Sequence, residues 1–312
     1  MLPSNLSPHS LPTRTLSVIR LREMLIKLIL HGCTLFSLLI TFAIITLLAV
    51  ETLRFFRMEE VEFWDFITGN KWNPLLGATK HFGVWPLVTG TLLVTGVAML
   101  VALPMGLVTA IFLSEFASAG LRNGLKPALE ILAGIPTVAY GFFALTFITP
   151  RLIQLHDGFD FYNALSAGIA VGILCLPTVV SLSEDALQAV PLGLRASAYG
   201  LGATKYEVAM RVTVPAALSG IVSAFLLAFA RAVGETMIVA LAAGSRPQMT
   251  LDPRNEIQTM TGYITQVAQG DVNNFGVEYY SIYAVAALLF LMTFGLNVLG
   301  HLIRKRFREA YE

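Results

Sequence analysis

The sequence predicts an all-α polytopic membrane protein, with six transmembrane helices and a helical cytoplasmic loop between the fourth and fifth. Three observations carry that prediction. Hydrophobic residues make up 55% of the chain and charged ones only 13%, against roughly 25% charged in soluble domains; the mean hydropathy is +0.70. Six apolar segments reach the length of about 20 residues that a bilayer crossing needs. Lys and Arg fall unevenly on the two sides of those segments.

The segments are placed at 28–50, 87–113, 128–149, 162–182, 217–243 and 281–303. Residues 1–27 are polar, carry Pro3, Pro8 and Pro12, and read as a tail with a short amphipathic lead-in. The apolar run that follows is too long for a signal-peptide core and ends in no small-residue cleavage site. Residues 304–312 form a second tail. Pro104, Pro136 and Pro177 lie inside spans two, three and four, where neighbouring helices must re-satisfy the freed carbonyls.

An even number of spans puts both termini on one side. The tail's Arg14, Arg20, Arg22 and Lys27 join Arg122, Lys126, Arg195, Lys205, Arg211, Arg304, Lys305, Arg306 and Arg308 on that side. The other side holds only Arg54, Arg57, Lys71, Lys80, Arg151, Arg246 and Arg254. The bias places both termini in the cytoplasm of a multi-pass plasma-membrane protein.

Two outside loops are long. In the first, EEVEFWDF (59–66) reads as an amphipathic surface helix or docking surface, or as a solvated loop with interfacial tryptophans. The second starts with GSRPQMTLDPRNEIQ and predicts a short helix near 256–269. Cys33 and Cys175 sit in apolar runs and read as buried small hydrophobes. The histidines show no metal-binding spacing, so a zinc hydrolase has no support, and the net charge of +1 implies no nucleic-acid partner. No G-x-x-x-x-G-K-[ST] loop occurs, so the chain holds no cofactor and any ATP is hydrolysed by another subunit.

The cytoplasmic loop, 183–216, carries the first candidate site. SEDALQAV reads as a short helix capped by Ser183, broken by Pro191 and Gly193. A helix, a turn at Gly200 and Gly202, and a second short helix from Thr204 follow, and Pro215 opens the fifth span. Tyr199, Leu201 and Tyr206 are apolar knobs that a loop has no reason to expose unless a partner docks there.

These residues resemble the coupling loop of ATP-binding-cassette (ABC) importer permeases, E-A-A-x-x-x-G-x9-I-x-L-P. Gly202 matches the glycine, Val212 and Val214 the aliphatic positions and Pro215 the proline; Ala196 stands for the glutamate and Ser197 for the first alanine. EFWDFITGNKWNP, GVWPLVTGTLLVT, ILAGIPTVAYGFF and ARAVGETMIVALAAG extend the resemblance, over most of 60–300, to the C-type permease subunit of phosphate importers (PstC). The resemblance implies a type I ABC-importer permease in the bacterial inner membrane. It implies a heterodimer with a homologous second permease, two cytoplasmic ATPase subunits, and an extracytoplasmic phosphate-binding protein. The coupling residues it implies are Ala196, Tyr199, Gly200, Gly202, Tyr206, Val214 and Pro215.

The second candidate site is AFARAVGETM (228–237), which puts Arg231 and Glu235 in mid-span. Residues four apart on an α-helix share a face, and Gly220, Ala224, Ala228 and Ala242 are read along it. The pair is either a self-neutralising lock between helices or an anion site on a translocation path. The resemblance implies the second; two hypotheses follow from the chemistry, that Glu235 holds Arg231 until phosphate displaces it, and that Glu235 rejects sulfate, which has no proton to donate. Thr236 offers the anion a hydroxyl or bonds its own helix carbonyl. Glu130 reads as an N-terminal charge of the third span. The rival readings are a permease for another oxyanion or a phosphonate, and a polytopic membrane enzyme, which lacks a visible nucleophile–base set.

Overall fold

The computed structural model describes residues 13–75, 80–270 and 276–307, with side chains from residue 22 to residue 303. The expected tail residues before 13 and after 307 lie outside it. The chain divides into two units at Val50/Glu51. In the first unit, helix α1 begins at Thr13, within the stretch read as a polar tail, and its side chains from 22 to 47 are all exposed, Cys33 among them. Only Cys175 is the buried thiol that was expected.

The second unit takes in the end of α1 (Thr13–Phe56), then α2 (Phe63–Thr68), α3 (Trp85–Ile111), α4 (Ala119–Gly134), α5 (Thr137–Phe143) and α6 (Thr149–Leu155). After these come α7 (Ala164–Gln188), α8 (Leu192–Gly200), α9 (Lys205–Val208), α10 (Val214–Ala216), α11 (Leu218–Val233), α12 (Met237–Ala242), α13 (Met260–Gln269) and α14 (Val277–Phe307). Single π-helical turns extend α3 and join α5 to α6 and α9 to α10. Among the described residues, five helices are long and apolar enough to cross a membrane, and a pair bent by 69°, Lys205–Ala216 and Leu218–Val233, passes the same test only when its two parts are taken together.

The core of this unit is the α3–α7 pair, its most extensively packed helices. Gly168 and Gly172, one turn apart on α7, let the backbones touch: a Cβ on Gly168 would lie 2.5 Å from Val97 Cγ1, and one on Gly172 2.9 Å from the Ala98 carbonyl oxygen. Pro104 and Pro177 remain inside unbroken helices. Pro136 does not. Its ring pushes Ile135 out of helical geometry, to φ −67°, ψ 131°, so α4 stops there. The third span is therefore Thr137–Leu155, not 128–149, and α4 is a separate amphipathic helix with no buried side chain. Glu130 falls near its C-terminal end and is no N-terminal charge.

At the opposite end from α8, an aromatic pile seals the second unit. Phe55, Phe66, Trp72, Phe82 and Tyr263 are buried together, with Trp72 edge-on to Tyr263 at 4.9 Å. Trp72 and Phe82 pair across a two-stranded ladder, β1 (Trp72–Asn73) and β2 (His81–Phe82). Lys80 binds Glu60 at 3.2 Å and Glu278 at 2.6 Å. EEVEFWDF supplies α2, and the helix expected near 256–269 is α13.

The loop between α12 and α13 is stitched onto the N-terminus of α7. The first amides of a helix lack intrahelical partners. Here Ala164 N–H donates to Asn255 O and Leu165 N–H to Pro253 O, while Asn163 Oδ1 caps Ser166 N–H at 2.8 Å.

Candidate functional site

The fifth span breaks where the sequence suggested a continuous helix. Gly234 follows α11 with no side chain to pack, α11 ends at Val233, and α12 starts only at Met237. Arg231 and Glu235 therefore do not share a helical face. No ion pair joins them among the described residues. Arg231 is exposed in the last turn of α11, where the helix dipole favours a cation. Glu235 is buried at 8% exposure, its carboxylate accepting from Ile238 N–H at 3.4 Å at the start of α12. Thr236 Oγ1 donates to Gly234 O at 3.2 Å, the local bond rather than an outward-facing one.

The small residues on α11 do not flank Arg231 as one open stripe. Ala224 and Ala228 are sealed, with Cys175 Sγ against the Ala228 carbonyl, and Gly220 sits on the Ala186 side chain. Ala242 is buried as well. The break has polar support that sequence reading missed. Thr261 Oγ1 donates to the Glu235 carbonyl at 2.6 Å, and Thr259 Oγ1 lies 3.2 Å from Thr261 Oγ1. Both threonines and Gln258 are buried. Polar residues clustered at the entry to a predicted helix were the available signal.

The helical loop folds largely as read, with one change. SEDALQAV is not a separate helix: α7 runs on to Gln188 and Ser183 is buried within it. Helix α8 ends in a Schellman motif. Gly202 takes φ +85°, Ala203 N–H reaches back to Ala198 O at 3.1 Å and Gly202 N–H to Tyr199 O at 2.9 Å. Gly202 is thus the turn glycine, while Gly200 is the last residue of α8. Thr204 and Glu207 close a capping box on α9, and the Thr204 bonds hold the Glu207 carboxyl below its ordinary range.

The outer face of this turn is apolar. Leu192 (79%), Leu201 (90%) and Tyr206 (65%) are strongly exposed, Tyr199 less so, and Ala196, Gly200 and Pro215 are also exposed. Val214 is half-buried at the bend into α11. Beneath it lies a charge network that sequence reading did not assemble. Arg195 Nη1 sits 3.2 Å from Glu115, Arg122 Nε 3.1 Å from Glu184, and Lys126 Nζ 3.2 Å from Glu184. Burial alone would lower the Lys126 pKa, but Glu184 and Asp185 outweigh it and hold the ammonium above its ordinary value.

The model of the family described as binding-protein-dependent transport system inner membrane component matches residues 102–309. A probable ABC transporter permease protein, YqgH of Bacillus subtilis, is 33% identical over 86% of this chain and 86% of its own length. A phosphate transport system permease protein, PstC of Mesorhizobium japonicum, is 32% identical over 74% of this chain and 75% of its own. The fold is similar to that of a chain from a bacterial ABC transporter involved in import of the acidic polysaccharide alginate, with TM-score 0.65 at 15% identity, over 95% of this chain and 100% of that one. With five long apolar helices, one bent pair and an exposed apolar helical turn already in place, these matches make the chain a member of the family of binding-protein-dependent transport system inner membrane components.

Proposed function

We propose that this chain is one of two permease subunits enclosing the path of an ATP-driven inorganic phosphate importer, and that it hydrolyses nothing itself. A homologous second permease completes the path. Two ATPase subunits dock on α8 and α9 from the cytoplasm, and an extracytoplasmic binding protein delivers phosphate. The Lys/Arg bias supports both termini being cytoplasmic.

One observation carries this reading: Arg231 is exposed, without an ion pair among the described residues, about midway along the apolar stretch from Leu218 to Ala242. A mid-bilayer arginine facing lipid costs roughly 2.5–3.5 kcal/mol. The side chain therefore faces water or another subunit. A guanidinium keeps its charge at any working pH and matches a tetrahedral oxyanion in a forked contact. Glu235 and Thr236, at the break beside it, shape the path rather than neutralise the cation. The names of the phosphate permease relatives support phosphate as the anion.

The test is anion uptake into proteoliposomes holding the chain with its partner permease, ATPase and binding protein. Phosphate uptake in the wild type, surviving excess sulfate and falling at least tenfold in Arg231→Gln and Arg231→Lys, is the expected result. Uptake of sulfate or a phosphonate in place of phosphate, or a fully active Arg231→Lys, overturns it.

A further inference from the structure

Helix α8 has a weak hold on the spans it is meant to move. None of its residues is buried, and its main neighbours are α9 and the π turn Ala209–Thr213. Of its nine residues only Arg195 is charged, and that side chain turns inward, 16% exposed. Its Nη2 donates to Leu187 O at 2.6 Å, in the last turns of α7, and its Nη1 lies 3.2 Å from Glu115 Oε1. Glu115 sits in the π turn that extends α3, and its side chain is 4% exposed. One guanidinium thus bridges the docking helix to both members of the core pair. On the other flank, Arg122 bonds the carbonyls of Leu113 and Ser114 and pairs with Glu184 of α7. That contact locks the ends of α3 and α7 to each other but leaves α8 out.

We infer that Arg195 is a positioning residue for coupling: it transmits displacement of α8 into α3 and α7 together. This rests on the reading of α8 as the ATPase-docking helix. The apolar side chains of the turn are exposed, whereas the Arg195 side chain is folded against Leu187 and Glu115. The exposed Leu192, Leu201 and Tyr206 provide the grip, and Arg195 provides the linkage. Where the importer pattern has a glutamate, this chain has Ala196, and the one charge of α8 is Arg195, bound to Leu187 and Glu115. Loss of the linkage lets α8 move with the ATPase while the spans lag behind.

The test separates ATP hydrolysis from transport in the reconstituted complex, as anion imported per ATP hydrolysed. Arg195→Gln and Glu115→Gln are expected to keep ATPase activity but lower that ratio about fivefold or more, and Arg195→Lys to restore part of it. Removing one partner of a buried ion pair leaves the other uncompensated and can prevent folding. Arg195→Met with Glu115→Leu removes both charges, and is expected to assemble and to remain uncoupled. An unchanged ratio in assembled Arg195→Gln, or in the double variant if the single one fails to assemble, overturns the inference. A wild-type complex with no ATP-driven uptake of any anion sinks the function proposed above instead.

Discussion

Thr261 donates its hydroxyl to the carbonyl oxygen of Glu235 at 2.6 Å. The donor lies in the first turn of α13 and the acceptor in the gap between α11 and α12. Breaking a span strands carbonyls in hydrocarbon, and this bond takes up one of them. Thr261→Val keeps the shape and removes the donor, leaving a buried acceptor unpaired at a cost of about 1–3 kcal/mol. A lower melting temperature in detergent is expected, along with reduced anion uptake, while Thr261→Ser stays near wild type. A Val variant as stable and active as wild type refutes this role.

Gly202 and Gly200 make a matched pair in the turn after α8. Nothing lies within 4 Å of a Cβ on either, so only the backbone distinguishes them. Gly202 holds φ +85°, a conformation that costs an L-residue roughly 1–2 kcal/mol. Gly200 is helical, where alanine gains about 0.5–1 kcal/mol. Gly202→Ala is expected to weaken ATPase binding in a pull-down assay and Gly200→Ala to leave it intact. Equal binding by both variants would show that the turn does not depend on the left-handed residue.

The α3–α7 seam has no room for a methyl group at Gly172. Alanine there meets the Ala98 carbonyl at 2.9 Å and the Val101 side chain, and backbone has little freedom to yield. Overpacking of this kind costs roughly 1–3 kcal/mol. Gly172→Ala should lower thermal stability clearly, whereas Gly96→Ala on α3, with nothing within 4 Å, should not.

The Arg254 side chain, through its hydrogen bonds to Asp252, holds the Asp252 carboxyl down at about 2. That is below the unfolded value of roughly 3.9. A depressed folded pKa stabilises above the unfolded value, and the contribution fades as pH falls through the folded one. The clamp is therefore constant from pH 7 to 5, and limited proteolysis of the 244–259 loop should not change across that range. Asp252→Asn, in contrast, is expected to expose the loop to protease at neutral pH.

The apolar segments and proline positions were legible because span length and missing amide donors are local properties. The family was legible from Gly202, Pro215 and the ARAVGETM stretch. Two errors came from letting hydropathy run across a breaker. Gly234 and Pro136 both sit inside apolar runs, and composition alone does not register that the chain turns there. Supposing a helix through Gly234 placed Arg231 and Glu235 on one face; the break leaves one exposed and buries the other. The contacts of Arg195 with Glu115, and of Arg122 with Glu184, join positions 80 and 62 residues apart. No periodicity within a single segment encodes such pairs.

The amides of Ala164 and Leu165 are committed to carbonyls of Asn255 and Pro253, so the start of span four and the α12–α13 loop are fastened together. Peeling the loop away would bare two donors at the rim. A tilt of the fourth span therefore carries that loop along with it.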